Sequence, residues 1–317
     1  MTLPAARRSL LAPGARVGDV VVTAELGSGS TATVYRAHRA GTDGTDGGED
    51  VALKVRALAG EPAGELVDRF RREFELARLV AGPHVVPVHD HGVARPGGRR
   101  TLLWLTMELV DGGTGTGLVP AAGAEPDLDR VLPVLGQVAE ALDRAHALDV
   151  LHRDVKPANV LLRSGPVLDA VLTDFGTAQL LDDLRPAAPR GRVAGSLPYA
   201  APELLTGGRL SPVTDVYALA CTAVEWLTGA PPFPRATAFA ITSAHLTDPP
   251  PDLSRRRSWL PAAAGNALAR GLAKEPGDRP GSCGELAASL AAALDGVRPP
   301  AVPGGPRRRL LRRPGRR

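Results

Sequence analysis

The sequence predicts an α+β protein with two lobes, a small antiparallel sheet with one main helix followed by a larger, mainly helical part. Short Val-rich segments separated by Gly-rich turns fill residues 20–107, as expected for antiparallel strands. Apolar residues then recur at helical spacing over much of residues 128–294. We therefore divide the chain into a flexible leader at 1–18, a first lobe at 19–110, a second lobe at 111–296 and a disordered Pro/Arg-rich tail at 297–317.

The first lobe contains one predicted helix and five predicted strands. The helix covers Glu65–Val80, where Leu66, Phe70, Phe74 and Ala77 repeat at helical spacing. The strands are Val20–Val22, Val34–His38, Val51–Val55, Val85–Val88 and Leu102–Met107. A Gly/Pro-rich stretch separates this lobe from the predicted helices of the second, which are 128–148, 213–228, 262–273 and 283–294.

Charge and cysteine content exclude several classes of protein. The formal net charge is +4, but residues 307–317 hold seven Arg and no acidic residue, and subtracting these seven leaves −3 for residues 1–306. A basic nucleic-acid-binding domain is therefore not expected. Two cysteines, Cys221 and Cys283, are too few for a disulfide framework or a zinc site, which favours a reducing, cytoplasmic location. No apolar run reaches the about 18 residues of a membrane span.

The Arg-rich tail allows two interpretations. Its seven arginines could give weak contact with an anionic membrane surface, at about 1 kcal/mol each at most. Alternatively, residues 307–317 are a solvated terminus with an Arg bias. We favour the second interpretation, because no apolar helix accompanies the charges.

The first candidate site is the Gly-rich segment Gly27–Val34 (GSGSTATV), which lies between two predicted strands. In a dinucleotide-binding fold such a motif opens a helix, so its position in a hairpin argues against that fold. Glycines let the backbone approach phosphate oxygens and donate N–H groups to them. The alternative is a Gly/Ser hairpin that binds nothing.

Lys54 lies on the next strand, within reach of the same phosphates. Its alternative role is that of a solvated lysine at a strand edge. A half-buried lysine needs a carboxylate, and the following helix offers Glu73 and Glu75. We prefer Glu73, because it borders the apolar stripe of that helix and Glu75 lies further round.

Three more motifs concentrate polar groups. His152–Asn159 (HRDVKPAN) combines a carboxylate to accept a proton, a lysine for phosphate and an amide for metal within one loop. Thr173–Gly176 (TDFG) adds a second carboxylate for metal, and Ala201–Glu203 (APE) follows.

In this order and at these separations the five motifs resemble the eukaryotic-type serine/threonine protein kinases, including their bacterial members. The resemblance covers about Val20 to Leu294. It implies the two-lobed protein-kinase fold, with ATP and Mg²⁺ between the lobes and transfer of the γ-phosphoryl group to Ser or Thr hydroxyls. The implied partners are protein substrates and a second copy for autophosphorylation as a homodimer, but no nucleic acid.

The resemblance also assigns roles to individual residues. Asp154 would accept the proton of the substrate hydroxyl, and Lys156, a feature of Ser/Thr rather than Tyr kinases, would steady the γ-phosphate. Lys54, paired with Glu73, would hold the α- and β-phosphates. The metal ligands would be Asn159 and Asp174, and the architectural residues would be Asp215, Glu203 and Arg279. The other ATP contacts would come from Leu26, Gly27, Ser28, Gly29, Ser30, Val34, Ala52, the gatekeeper Met107 and the hinge residues Glu108 and Val110.

The scarcity of lysine supports an intact phosphate site. Only three of the 38 basic residues are Lys, and two of these three are Lys54 and Lys156. Arg is a planar fork and Lys a compact point charge, so the two are not interchangeable at a phosphate. The third glycine of the phosphate loop is replaced by Ala32, which we expect to leave ATP binding in place.

The segment 175–202 differs from an activation loop that is switched by phosphorylation, because it offers few hydroxyl residues. Its only hydroxyl residues are Thr177, Ser196 and Tyr199. We expect that loop phosphorylation is not the main switch and that Asp182 or Asp183 replaces the phosphate. The alternative is a loop that is disordered without a partner.

Two other functions remain open at this stage. A pseudokinase scaffold predicts the loss of the phosphate lysine, the catalytic Asp or a metal ligand, and none of these is lost. A small-molecule phosphotransferase of related fold is disfavoured by Lys156, by the motif Ala201–Glu203 and by Asp215.

Overall fold

The computed structural model describes residues 9–29, 32–39, 48–58, 63–96, 100–175, 179–180 and 196–300. Over these residues the chain forms the expected α+β architecture, a curled antiparallel sheet with one helix followed by a helical lobe. None of the helices in these ranges is long and apolar enough to cross a membrane.

A six-stranded antiparallel sheet makes up the first lobe, in the order β1-β2-β3-β4-β6-β5. Its strands are β1 (Arg16–Val17), β2 (Val20–Ser28), β3 (Thr33–Arg39), β4 (Asp50–Ala57), β5 (Val88–Ala94) and β6 (Leu102–Glu108). Helix α1 (Ala63–Leu79) packs on one face, where its Leu66, Phe70 and Phe74 meet Leu103 and Leu105 of β6. This packing fixes the helix relative to β4, which carries Lys54.

The expectation of a loose leader is wrong for the part of it that is described. Leu11 is buried, and its N–H donates to the Tyr35 hydroxyl oxygen over 3.1 Å. Strand β1 then pairs with the start of β2 through Val17 and Val20, both of which are buried. Residues 9–17 therefore close one end of the sheet core, a contact between distant parts of the chain that local composition does not reveal.

The fourth predicted strand is displaced. The strand begins at Val88, at the end of the predicted range, and continues to Ala94. Pro87 has no N–H to give a sheet ladder. Val86 instead donates its N–H to Leu172 O over 3.0 Å, and the Leu172 N–H donates to His84 O over 2.8 Å. Residues 84–86 thus connect the two lobes behind the cleft.

The second lobe is built around the buried helix α4 (Pro212–Thr228). A capping box of Ser211 and Thr214 starts this helix, and Gly229 ends it in the left-handed conformation at φ +86°. Around it lie α2 (Leu128–His146), α3 (Pro202–Thr206), α5 (Ala238–Thr247), α6 (Ala262–Gly271) and α7 (Cys283–Ala293). The sequence did not predict α3 and α5; α3 is a single short turn, and α5 is apolar without helical periodicity.

Four short strands in the second lobe shape the floor of the cleft. They are β7 (Val150–Leu151), β8 (Val160–Arg163), β9 (Asp169–Leu172) and β10 (Gln179–Leu180). Strands β8 and β9 form an antiparallel hairpin, and β10 pairs with β7. The loop between β7 and β8 carries the motif His152–Asn159, and Asp174 follows β9 directly.

Candidate active site

The Gly-rich motif forms the tip of the β2–β3 hairpin. Gly27 lies opposite Val34, and the Gly29 N–H donates to Ala32 O over 2.8 Å. A Cβ atom built on Gly27 would meet nothing within 4 Å, and one on Gly29 only Ala32 O at 3.6 Å. The described residues do not fill the space beside these glycines, so a phosphate could approach their backbone. Ser30 lies outside the described residues.

Lys54 lies between two carboxylates at the back of the cleft. Its Nζ donates to Glu73 Oε1, and to Asp174 Oδ1 over 2.9 Å. Burial opposes the charged amine, but Asp174 and Glu73 together raise the pKa of Lys54 above its usual range. The Lys54 charge in turn lowers the pKa of Asp174 to about 2. Glu75 pairs instead with Arg71 on the exposed face of α1, at 3.1 Å.

Two side chains bind one carboxylate oxygen of Asp154, and the described residues offer no donor to the other. Its Oδ2 accepts from Lys156 Nζ over 2.7 Å and from Asn159 Nδ2 over 3.0 Å. Its Oδ1 is buried and has no hydrogen-bond partner among the described residues. A buried carboxylate oxygen without a donor is costly, and a substrate hydroxyl would satisfy it. Lys156 also donates to Ser196 Oγ over 2.9 Å.

Asp215 holds the loop that carries Asp154. This carboxylate is fully buried at the start of α4, and it accepts the N–H groups of His152 over 2.9 Å and of Arg153 over 2.8 Å. Arg153 has φ +66°, a left-handed conformation that is unfavourable for a residue other than Gly. Burial alone would raise the pKa of Asp215, but the donors, first among them His146, keep it below its usual value.

Asn159 and Asp174 form a donor set that suits a divalent cation. The Asn159 amide nitrogen is engaged by Asp154, so its side-chain oxygen is directed elsewhere. The Asn159 carbonyl accepts the N–H of Thr173 over 2.9 Å, which joins the loop to the segment that carries Asp174. A carboxylate and an amide oxygen next to a phosphate loop fit a hard cation such as Mg²⁺. These two residues could therefore hold the metal.

Apolar side chains from both lobes line the cleft beside the hinge. Ala52, Val86, Met107 and Val171 are buried together, with Val34, Val110 and Leu161 packed against them. The Glu108 side chain is not part of this surface, because Arg163 binds it through two hydrogen bonds of 2.6 and 2.7 Å. A flat apolar ring could lie on this surface.

Glu203 and Arg279 meet in the interior of the second lobe. Arg279 donates Nη1 to Glu203 Oε1 over 2.7 Å and Nη2 to Oε2 over 2.9 Å. Its remaining donors go to three backbone carbonyls, and its guanidinium lies 4.9 Å from the centre of the Tyr217 ring. The structure therefore places this pair away from the cleft, as a brace between α3 and the segment that connects α6 to α7.

Some predicted site residues lie outside the described part of the chain, and some site residues were missed. Gly176, Thr177, Asp182 and Asp183 lie outside the described residues, so the structure does not address the loop hypothesis. Sequence reasoning missed three apolar residues of the cleft, Val86, Leu161 and Val171. For Leu161, the apolar flank of the catalytic loop was the available signal.

Comparison with known proteins agrees with this geometry. The protein kinase domain family model matches residues 20–287. The chain is 36% identical over 296 residues to the serine/threonine-protein kinase PknF of Mycobacterium tuberculosis, covering 92% of this chain and 59% of that protein. It is 38% identical over 300 residues to PknJ of the same organism, covering 89% of this chain and 49% of that protein. The chain thus spans about half the length of the curated relatives it matches.

A solved structure is similar over nearly its whole length. The kinase domain of PknI from M. tuberculosis aligns with a TM-score of 0.67 and 35% sequence identity, covering 90% of this chain and 99% of that one. Protein kinases as a family use ATP with a divalent metal. With the motifs, the cleft and the family match in agreement, the chain belongs to the protein kinase family.

Proposed function

We propose that this chain is a Mg²⁺-dependent serine/threonine protein kinase that transfers the γ-phosphoryl group of ATP to Ser or Thr hydroxyls of proteins. The observation that carries the proposal is the state of Asp154. One of its oxygens is fixed by Lys156 and Asn159, and the other is buried with no donor from the described residues. A substrate hydroxyl would supply that donor and pass its proton to the same oxygen.

The remaining residues supply position and charge. In this mechanism Lys54, held by Glu73, orients the α- and β-phosphates, while the open space beside Gly27 and Gly29 lets the phosphate chain approach their backbone. Asn159 and Asp174 would hold the metal ion, whose chemistry would be to neutralise phosphate charge. Lys156 places a point charge next to the γ-phosphate as the bond to the acceptor oxygen forms in line with the leaving oxygen.

The contacts of Lys54 support the proposal of a competent phosphate site. In protein kinases both the lysine–glutamate pair and the metal-binding Asp must be in place. Here Lys54 contacts Glu73 and Asp174 at the same time. Lys156, two residues after Asp154, supports Ser and Thr rather than Tyr as acceptors.

Transfer of labelled phosphate distinguishes this proposal from its two rivals. The wild-type chain and Asp154→Asn are incubated with labelled ATP and Mg²⁺, with a generic basic protein and small alcohols as separate acceptors. We expect label on Ser and Thr of the protein acceptor, and its loss in the variant. No transfer by folded wild-type protein would favour a scaffold, and transfer only to small alcohols would favour a small-molecule phosphotransferase.

The activation-loop hypothesis is part of the same proposal. If Asp182 or Asp183 replaces a loop phosphate, phosphopeptide mapping after incubation with ATP will find no stoichiometric site in residues 177–199 that is needed for activity. A stoichiometric site there whose Ala variant loses most activity would contradict it.

Location and further partners follow from the proposed activity. A cytoplasmic location suits an ATP-dependent enzyme whose two cysteines are free and buried. Autophosphorylation between copies would involve a homodimer. Contact of residues 307–317 with anionic lipid is tested by liposome sedimentation with and without those residues, and equal binding by both forms would exclude it.

A further inference from the structure

A second group of metal-ligating side chains lies below the catalytic loop, outside the ATP cleft. Asp143 and His146 are three residues apart near the end of α2, and Cys283 is the first residue of α7. One ligand atom from each lies within 4.8 Å of the other two. Counting cysteines alone argued against a zinc site, but the fold brings a histidine and an aspartate to one of them.

One ring nitrogen of His146 faces the Asp143 carboxylate at more than hydrogen-bonding distance. Its side chain is only 7% exposed, and its Nε2 is 2.8 Å from Asp215 Oδ2. Since a carboxylate accepts, the Nε2 of the neutral ring carries the proton and Nδ1 presents its lone pair. Nδ1 has no hydrogen-bond partner within the described part of the chain, and it faces Asp143 Oδ1 at 3.9 Å. A cation placed between these two acceptor atoms would be bound by both.

The arrangement around His146 matches that of a histidine metal ligand. Such a histidine usually donates its other ring N–H to a carboxylate, which fixes the tautomer and the ring orientation. Asp215 fills this role from the buried side. Neither Asp143 nor Asp215 has an ion pair with Lys or Arg among the described residues, so no such pair neutralises the negative charge of these two carboxylates.

The spacing of the ligands is close to that of a tetrahedral zinc site. Bonds of about 2.0–2.3 Å to zinc place neighbouring ligand atoms about 3.3–3.8 Å apart. The 3.9 Å separation of His146 Nδ1 and Asp143 Oδ1 is wider by less than 1 Å. The Asp143 side chain is one-third exposed and can make this adjustment. Sulfur, nitrogen and oxygen ligands together suit zinc better than Mg²⁺ or Ca²⁺.

Two further contacts bear on the site. Asp143 Oδ1 accepts the Cys283 N–H, and Oδ2 accepts the Gly284 N–H, both over 2.9 Å. These bonds hold the carboxylate on the first turn of α7, a role it would also have without a metal. An open groove between α2 and α7, lined by Gly136, Ala139, Glu140, Asp143, Arg144 and Gly284, reaches Asp143 from solvent.

We propose that Asp143, His146 and Cys283 bind a zinc-class cation, with water as the fourth ligand. On binding, the Cys283 thiol releases its proton to solvent and coordinates as thiolate. The site lies outside the phosphate-transfer chemistry, so it stands or falls separately from the kinase proposal. The site could still affect the catalytic loop, because the metal-bound His146 would hold Asp215, which in turn holds that loop.

Cobalt(II) is the direct probe, because thiolate coordination gives it a charge-transfer absorption band. The full chain is treated with chelator, exchanged into buffer and titrated with Co²⁺, and Zn²⁺ is then added in competition. We expect one cobalt per chain with a thiolate band that Zn²⁺ abolishes. The band should disappear in Cys283→Ser and persist in Cys221→Ser, which changes the other buried cysteine outside the cluster.

Further variants guard against misfolding and against binding in the ATP cleft. If Cys283→Ser does not fold, Asp143→Asn decides, and we expect it to weaken Zn²⁺ binding at least tenfold. Asp174→Asn, which alters the ATP cleft, should retain the thiolate band. A wild-type chain without a thiolate band, or a band that survives in folded Cys283→Ser, would overturn the proposal. So would unchanged Zn²⁺ affinity in Asp143→Asn.

Discussion

Replacing Asp215 with Asn tests how the catalytic loop is held. The carboxylate accepts three donors: Arg153 N on Oδ1, and His152 N with His146 Nε2 on Oδ2. Asn has only one oxygen, so its amide group must oppose at least one of these donors. A buried N–H then loses its partner, and the remaining bonds lose the help of the negative charge.

The expected size of the effect follows from burial. Removing one member of a fully buried charged network costs about 3–5 kcal/mol of the free energy of unfolding. The left-handed Arg153 backbone, which stores about 1–3 kcal/mol, can then relax. Because each 1.4 kcal/mol corresponds to about a tenfold change in rate, we expect kcat to fall about 10–100-fold with little change in ATP affinity.

Equilibrium unfolding in urea and steady-state kinetics measure the two effects. Asp252→Asn is the matched control, since this exposed carboxylate accepts a single backbone N–H, that of Ser254, far from the cleft. Asp252→Asn should leave the free energy of unfolding and kcat unchanged. The reasoning is refuted if Asp215→Asn unfolds within 1 kcal/mol of wild type and keeps more than a third of kcat.

Lowering the pH should reduce the difference in unfolding free energy between wild type and Asp215→Asn. The pKa of Asp215 is lowered in the folded protein, so its stabilising effect is complete above the unfolded pKa of about 3.9. That effect is lost as the pH falls through the folded value. The difference in unfolding free energy should therefore be constant near pH 7 and shrink below about pH 4. A difference that grows on acidification would contradict the assignment.

Two further predictions concern the other ion pairs. Glu203→Gln leaves the buried Arg279 charge unpaired and should lower the free energy of unfolding in urea by about 3–5 kcal/mol. Asp248→Asn breaks an exposed pair and should lower it by under about 1 kcal/mol, and equal losses in the two variants would contradict the argument. Glu73→Gln should lower kcat/KM at least tenfold in the kinase assay, while Glu75→Gln on the exposed face of α1 should not; similar effects of the two would show that Lys54 does not depend on Glu73.

The sequence was most informative where one residue type serves one chemical purpose. Lys54 and Asp154 were identified from motifs because no other side chain fits their chemistry. The preference for Glu73 over Glu75 followed from helical periodicity, which predicts which side of α1 faces the sheet. The structure places Glu73 against Lys54 and Glu75 against Arg71.

Contacts between distant segments could not be predicted in this way. Leu11 and strand β1 were expected to be a loose leader, because their partners, Tyr35 on β3 for Leu11 and strand β2 for β1, lie on other strands. Helix α5 has no apolar periodicity, so nothing local distinguished it from a loop. The meeting of His146 and Cys283 depends on how α2 and α7 pack, and counting cysteines gave the opposite expectation.

The different surroundings of the two Asp154 oxygens could be found only in the structure. A motif names the residue, but it does not show that Lys156 and Asn159 bind one oxygen while the described residues offer no donor to Oδ1. The structure therefore assigns the proposed role to a single atom.

The central claim is that Asp154 Oδ1 receives the proton of the substrate hydroxyl. It is tested most directly by measuring kcat for a Ser peptide and the Kd for ATP, side by side, in wild type and Asp154→Asn. Loss of a positioned acid–base group should lower kcat about 10²–10⁴-fold and leave ATP affinity within about twofold. A folded Asp154→Asn protein that binds ATP normally and keeps more than a tenth of the wild-type kcat would contradict the claim.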